Sequence, residues 1–533
     1  MAKSRPAGEH AEHFSPLPEV DTEVDRRSPG EMAAAFTRRT VRVRWIGLAG
    51  GLALALLLYT AMPGEVAHDA RLTAAIAGLM AVWWMTEALP IPATAIVPLI
   101  VFPLLSQGTE DAPVTVDSVG ASYGNNIIFL FMGGFLIALA MQRWNLHRRI
   151  ALLVLRAMGE RTGALLAGFM IATGFISMWV SNTATAVMML PIGLSVLELV
   201  SEAMERKGVI EKGSGAAGAL KTKFGAGLML SIAYAASIGS LGTLIGTPPN
   251  ALLAAYLSQE HDIEIGFGQW MIVGFPLSVV MLAFTWWMLA KVLFKPEVKT
   301  IPGGRALINE EVKKLGPVSM GEILVLVVFS LAAVSWIAVP LIWEDPPISD
   351  AGIALTAGIL LFFIPAGAQR GVRLLDWESA VKLPWGVLLL FGGGLALSAQ
   401  FSSSGLTEWI GDVSAAIGGL PVVLMVVILA AAILFLTEIT SNTATAATFL
   451  PIAGGIAIGI GVDPMLLTIP VALAATCAFM LPVATPPNAV VYGTGYVTIP
   501  QMVKAGLWIN LFGIVTISLV TMTLAVWVFS IVY

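Results

Sequence analysis

The hexad Ser181-Asn182-Thr183-Ala184-Thr185-Ala186 returns unchanged 260 residues later as Ser441-Asn442-Thr443-Ala444-Thr445-Ala446. The same interval carries Phe131-Met132-Gly133-Gly134 onto Phe391-Gly392-Gly393-Gly394, so a glycine pair and a polar hexad keep one spacing in both halves. A third pair follows in the same order: Gly246-Thr247-Pro248-Pro249-Asn250 and Ala484-Thr485-Pro486-Pro487-Asn488. Polar residues and prolines recurring inside very apolar surroundings mark a duplicated membrane site, not a duplicated soluble domain.

The surroundings are apolar throughout. Of 533 residues, 57% are hydrophobic and 12% charged, where soluble domains carry about 25% charged residues. Stretches 45–62, 323–343 and 505–532 have no charge over the length a bilayer demands. The fold class is an all-α polytopic membrane protein. A net charge of −5 adds little when lipid-facing surface dominates. The one cysteine, Cys477, excludes a disulfide within the chain and reads as a small core residue. Residues 1–40 are mixed in charge and contain proline, with no apolar core, so they read as a flexible cytoplasmic tail and not a cleavable signal.

Basic residues set the expected orientation. Arg38, Arg39, Arg42 and Arg44 precede the first span, and Arg143, Arg148, Arg149, Lys291, Lys295, Lys313, Lys314, Arg370 and Arg373 fall on the same side when spans are taken in turn. The N-terminus is therefore expected in the cytoplasm and the C-terminus outside. An odd number of net crossings separates the repeated elements, which makes the halves an inverted-topology repeat. The first covers 120–293 and the second 385–533, joined by a cytoplasmic linker at 294–320 and further helices at 41–110 and 321–370. The Gly- and Lys-rich stretch 207–224 reads as a solvated connector.

Each motif has a chemical reading. The hexads sit between apolar arms, and Ser, Thr and Asn are cap formers, so helical hairpins with tips at 181–186 and 441–446 are expected. Spans 226–258 and 464–496 are too long for one crossing. Pro248-Pro249 and Pro486-Pro487 break them, giving discontinuous helices at 246–250 and 484–488. Carbonyls freed near Gly246 and Ala484, with Ser and Asn oxygens, suit a hard monovalent cation such as sodium, while half-helix N-termini suit a carboxylate. No Lys or Arg lies in any of the four motifs, so an anion there depends on hydroxyls, amides, helix ends and bound cations. Cation and anion binding should therefore be coupled.

Glu87 belongs at the cytoplasmic interface, and Glu438, three residues before Ser441, is either functional or a structural hydrogen bonder. The five histidines lie in the tail or in loops without ligand spacing, and no Walker loop is present. Trp83, Trp84, Trp286 and Trp287 read as interface anchors. A membrane enzyme is disfavoured because Ser181 has no histidine near any span to serve it.

The paired Ser-Asn-Thr and Thr-Pro-Pro motifs, with Thr86-Glu87-Ala88-Leu89-Pro90, resemble the divalent anion–sodium symporter (DASS) family, dicarboxylate type, from about residue 43 to 533. The resemblance implies a homodimer of subunits with 11 transmembrane helices and two re-entrant hairpins, whose transport domain moves as an elevator against a scaffold. It implies one sodium at Ser177, Ser181, Asn182 and Gly246, and a second at Thr437, Ser441, Asn442 and Ala484. The dicarboxylate is then held by Asn182, Thr183 and Thr247 with Asn442, Thr443, Thr485 and Pro486. Thr247 stands where some relatives have Ser. The expected function is sodium-coupled transport of C4-dicarboxylates such as succinate, malate or fumarate. The alternatives are a dicarboxylate exchanger and a citrate or sulfate symporter. Expected partners are the small anion, at least two Na+, the bilayer of the cell membrane and a second subunit, with no nucleic acid and no organic cofactor.

Overall fold

The computed structural model describes residues 37–108, 113–206, 222–301, 303–343, 346–415 and 419–532; of Ala203 and Arg206 only the backbone is described. Most of the expected tail and residues 207–221 of the connector lie outside them. The chain divides into a unit ending at Val43 and a second, Arg44–Tyr533. Within the first, Thr37 Oγ1 accepts the Thr40 N–H at 3.2 Å at the start of helix Arg38–Ala61, which opens before the expected tail boundary.

The described residues are helical, with only two isolated β-bridges. Among the described residues, seven helices are long and apolar enough to cross a membrane: Arg38–Ala61, Val116–Arg143, Asn182–Glu202, Phe267–Leu293, Met320–Ile342, Trp385–Ser403 and Ile499–Phe529. Shorter apolar helices accompany them, and three of these fall within the repeated halves: Thr162–Ser177, Val422–Thr437 and Met465–Thr476, while Asp350–Phe363 lies between the halves. Of these, Thr162–Ser177 pairs with Asn182–Arg206 as a first hairpin, and Val422–Thr437 pairs with Asn442–Gly459 as a second.

The long spans are interrupted where the prolines stand. Lys223–Ser240 ends, residues 241–247 run irregularly, and Pro248–His261 begins a new helix. Met465–Thr476 and Pro486–Gly493 flank a similar break at 477–485. The physical reason is that proline has no N–H to donate and its ring excludes the preceding turn, yet it fits the first helical position. Thr247 and Thr485 are accordingly extended N-caps, with φ −144° and −142°.

The glycine motifs bring helices into close contact. Phe131 and Phe391 meet edge to face, with centroids 4.9 Å apart, joining helices Asn126–Arg143 and Trp385–Ser403. A Cβ on Gly133 would collide with the Ala354 backbone, and one on Gly393 with the Ala95 carbonyl.

The linker at 294–320 contains a helix, Gly304–Lys314, packed against Leu146–Met158. Arg148 Nη2 reaches Glu311 at 2.9 Å, and Arg149 Nε pairs with Glu322 at 2.7 Å. Thr162 opens the first hairpin tied to this linker: its N–H donates to the Lys299 carbonyl at 3.1 Å and its hydroxyl to Val298 at 2.7 Å. Two sequence readings are corrected. Trp84 is not an interface anchor, being 1% exposed with its indole N–H on the Ile91 carbonyl. His147 lies buried in a helix and not in a loop, hydrogen-bonded to the Met141 carbonyl.

Candidate functional site

Hydrogen bonds join the four repeated elements. In the first hairpin, Ser177 donates to Asn182 Oδ1 at 2.8 Å across the tip, and Asn182 Nδ2 donates to Ser240 Oγ at 3.2 Å. Ser240 is the last residue before the first break. Gly246, at the far end of that break, lies so close that a Cβ would strike the Ser240 carbonyl oxygen. Next in chain, Thr247 Oγ1 lies 3.4 Å from Thr476 Oγ1, at the edge of the second break. The second half repeats the pattern. Thr437 donates to Asn442 Oδ1 at 2.7 Å, and the same hydroxyl lies 2.9 Å from the Ala475 carbonyl.

Each break is braced by the asparagine that follows its prolines. Asn250 Nδ2 donates to the Thr243 carbonyl at 2.9 Å, and Asn488 Nδ2 donates to the Ala478 and Leu481 carbonyls, both at 3.1 Å. Both asparagines are fully buried, and in both Oδ1 has no hydrogen-bond partner. Matched orphan acceptors beside matched chain breaks are what an oxygen-coordinated cation needs nearby.

Four helices begin here: at Asn182, Pro248, Asn442 and Pro486. Their first N–H groups lack intrahelical partners and give each terminus a partial positive charge. Two are capped from within: Ser181 Oγ accepts the Ala184 N–H at 3.3 Å, and Thr485 Oγ1 accepts that of Asn488 at 3.3 Å. Ser441 and Thr247 make no side-chain cap. Thr183 is exposed and Thr443 half-buried, while Pro486 presents an exposed ring. Ala484 is buried within the second break, its N–H on the Leu481 carbonyl at 3.2 Å.

A buried carboxylate sets the second half apart. Glu438 is buried, and its carboxylate accepts the backbone N–H groups of Phe479, Met480 and Leu481 at 2.8–3.1 Å. Asn510 Nδ2 is a fourth donor, at 2.7 Å. Glu438 thus bonds the irregular backbone of the second break. Glu87, by contrast, is exposed in a left-handed C-cap at φ 46°.

Sequence reasoning assigned no role to Ser240, Asn250, Thr476, Asn488 or Asn510. Asn250 and Asn488 stand inside a repeated motif, so the signal for them was present. Ser240 has Ala478 as its counterpart, so the repeat carried no mark of it.

Helical hairpins paired with broken helices define the architecture of a multi-pass secondary transporter. Solved structures agree on the fold. The YdaH transporter of Alcanivorax borkumensis matches with TM-score 0.54 over 92% of this chain and 98% of its own, at 14% identity. MtrF of Neisseria gonorrhoeae matches with TM-score 0.50 over 88% and 96%, at 13% identity. The likeness at such identities is one of fold alone.

Sequence comparison identifies the particular family. The chain belongs to the family of the sodium:sulfate symporter transmembrane region, whose profile covers residues 44–531, and it is a transporter and not an enzyme. It is 44% identical over 476 residues to the sodium-dependent dicarboxylate transporter SdcS of Staphylococcus saprophyticus, covering 88% of this chain and 89% of that one. The SdcS protein of Staphylococcus aureus strain USA300 is 43% identical over 479 residues, with the same coverage.

Proposed function

We propose that this protein is a sodium-coupled symporter of C4-dicarboxylates such as succinate, malate or fumarate. The observation that carries the reading is three sets of hydrogen bonds at the paired motifs: Ser177 to Asn182 to Ser240, Thr247 to Thr476 across the halves, and Thr437 to both Asn442 and Ala475. One sodium is assigned to Ser177, Ser181, Asn182 and Gly246, and the other to Thr437, Ser441, Asn442 and Ala484. The substrate is assigned to Asn182, Thr183, Thr247, Asn442, Thr443, Thr485 and Pro486. Similarity to the sodium-dependent dicarboxylate transporters above favours a dicarboxylate over sulfate.

These side chains supply hydroxyl and amide oxygens for a hard cation, and exposed helix starts for a carboxylate. With no cationic side chain among them, sodium must lower the cost of placing a dianion there, which makes loading obligatorily coupled. In this proposal the two halves are inverted repeats, the hairpins are re-entrant, and the loaded hairpins and broken helices move together as an elevator within a homodimer. The N-terminus lies in the cytoplasm, and the scaffold comprises 41–110 and 321–370.

The test is labelled succinate uptake into proteoliposomes under an inward sodium or potassium gradient. Uptake that requires sodium and fails in Asn182→Ala and Asn442→Ala supports symport. Uptake that ignores sodium and requires internal dicarboxylate makes the protein an exchanger. Saturating citrate or sulfate that abolishes succinate uptake, and is itself carried faster, reassigns the substrate.

A further inference from the structure

At the end of the bundle where helix Phe267–Trp287 starts and helix Met320–Ile342 finishes, there is a cavity of about 770 Å³. Protein interiors leave few voids larger than a water molecule, and ligand pockets measure roughly 300–1,000 Å³. This cleft is open at the surface and large enough to hold a ligand. Its walls include Ile272, Phe275, Trp336, Ile337 and Leu341. Phe275 and Ile272 are 43% and 48% exposed, and Leu341 is 81% exposed, on two of the long apolar spans. The cavity therefore opens sideways, onto the face that lipid covers.

The mouth is acidic. Glu264 and Asp350 both line it. Asp350 Oδ2 accepts the Phe267 N–H at 2.8 Å, and neither carboxylate has an ion-pair partner among the described residues. The basic residues of the same helix and of the adjoining linker, Lys291, Lys313 and Lys314, lie toward the opposite end. An occupant must therefore combine an apolar chain with a cationic head.

We propose that this cavity binds a membrane lipid with a primary-amine head group, its acyl chain between Phe275 and Leu341 and its ammonium between Glu264 and Asp350. An ammonium offers three N–H donors and bridges two carboxylates. A choline head group has none to offer, and an anionic head group is repelled. The cavity wall also continues toward the transport site: Trp336 stacks on Phe267 at 4.3 Å, and Phe267 on Trp179 at 6.1 Å, two residues from Ser181.

The test uses the full chain and does not depend on its transport activity. Native mass spectrometry is run after exchange into nanodiscs of phosphatidylcholine, phosphatidylethanolamine or phosphatidylglycerol, each compared in competition. Wild type is expected to retain phosphatidylethanolamine at least fivefold over the other two. The double variant Glu264→Gln/Asp350→Asn should lose that preference, and Ile272→Trp, which fills the cavity, should lose the bound lipid. Leu341→Trp at the rim serves the same purpose if Ile272→Trp fails to fold. Equal retention of the three lipids, preference for phosphatidylglycerol, or adducts that survive the tryptophan variants would each overturn the proposal.

Discussion

Asn510 Nδ2 donates to Glu438 Oε1 at 2.7 Å, closing a cage in which one buried carboxylate holds three consecutive backbone N–H groups of the second chain break. The first half has no such cage. Met178 stands at the position equivalent to Glu438 in the first hexad's frame. Gly274 and Gly506 abut matching carbonyls of the two breaks, Leu241 and Phe479, and that register aligns Ser278 with Asn510. Ser278 donates to the Ile238 carbonyl, whereas the second half uses a carboxylate to accept from the backbone.

Glu438→Gln replaces an acceptor-only group with one that presents an NH2 to backbone donors. A buried donor left without a partner costs roughly 1–3 kcal/mol. The variant should melt several degrees below wild type, and its sodium-dependent stabilisation should shrink. Thermal unfolding of purified protein with and without sodium checks this. An unchanged melting curve in both conditions would show that the cage is dispensable.

Gly246 and Ala484 are equivalent positions with unequal tolerance. A Cβ on Gly246 would collide with the Ser240 carbonyl, while Ala484 already carries one in the second break. Gly246→Ala should displace Ser240, and with it the hydroxyl that accepts from Asn182. The half-saturating sodium concentration should rise at least tenfold in Gly246→Ala and change less than threefold in Ala484→Gly. Sodium titration of succinate uptake measures both.

The repeat made much of this legible. Prolines cannot continue a helix, so Pro248 and Pro486 announced the breaks, and the doubled hexads announced the hairpins. Packing partners were less visible. Trp84 sits in an apolar run, and whether it faces lipid or protein depends on which helices cover it, which local sequence does not encode. Ser240 and Thr476 were missed for a similar reason. Each has a non-equivalent residue in the other half, Ala478 and Ile238, and so left no trace in the repeat. The helix Gly304–Lys314 was also missed, because a charged stretch after a span reads as a linker until its ion pair with Leu146–Met158, Arg148 to Glu311, is seen.

Thr247 and Thr476 face each other across the halves at 3.4 Å, both buried. A neutral hydrogen bond contributes about 0.5–1.5 kcal/mol net. Removing one hydroxyl should thus leave the fold intact and disturb the substrate residue Thr247. Thr476→Val is expected to raise the succinate KM severalfold with little loss of melting temperature, and Thr476→Ser to restore it. A KM unchanged in both variants would separate Thr476 from substrate binding.

The linker gives a pH dependence whose sign is fixed. A hydrogen bond from Lys314, aided by Arg148, holds the Glu311 carboxyl below its ordinary value of 4.5. A carboxylate whose folded pKa is depressed adds stability that is fully present above its unfolded value and is lost as pH falls through the folded one. The clasp between Gly304–Lys314 and Leu146–Met158 should therefore hold at neutral pH and weaken only below about pH 4.5. Glu311→Gln should remove this part of the acid response and lower stability at pH 7. Arg148→Met should open the clasp as well, since the remaining Lys314–Glu311 pair lies within one helix. Hydrogen exchange in 304–314, followed from pH 7 to pH 4, reads the clasp directly. Protection that is the same in wild type and Glu311→Gln at pH 7 would show that the ion pairs do not hold the linker in place.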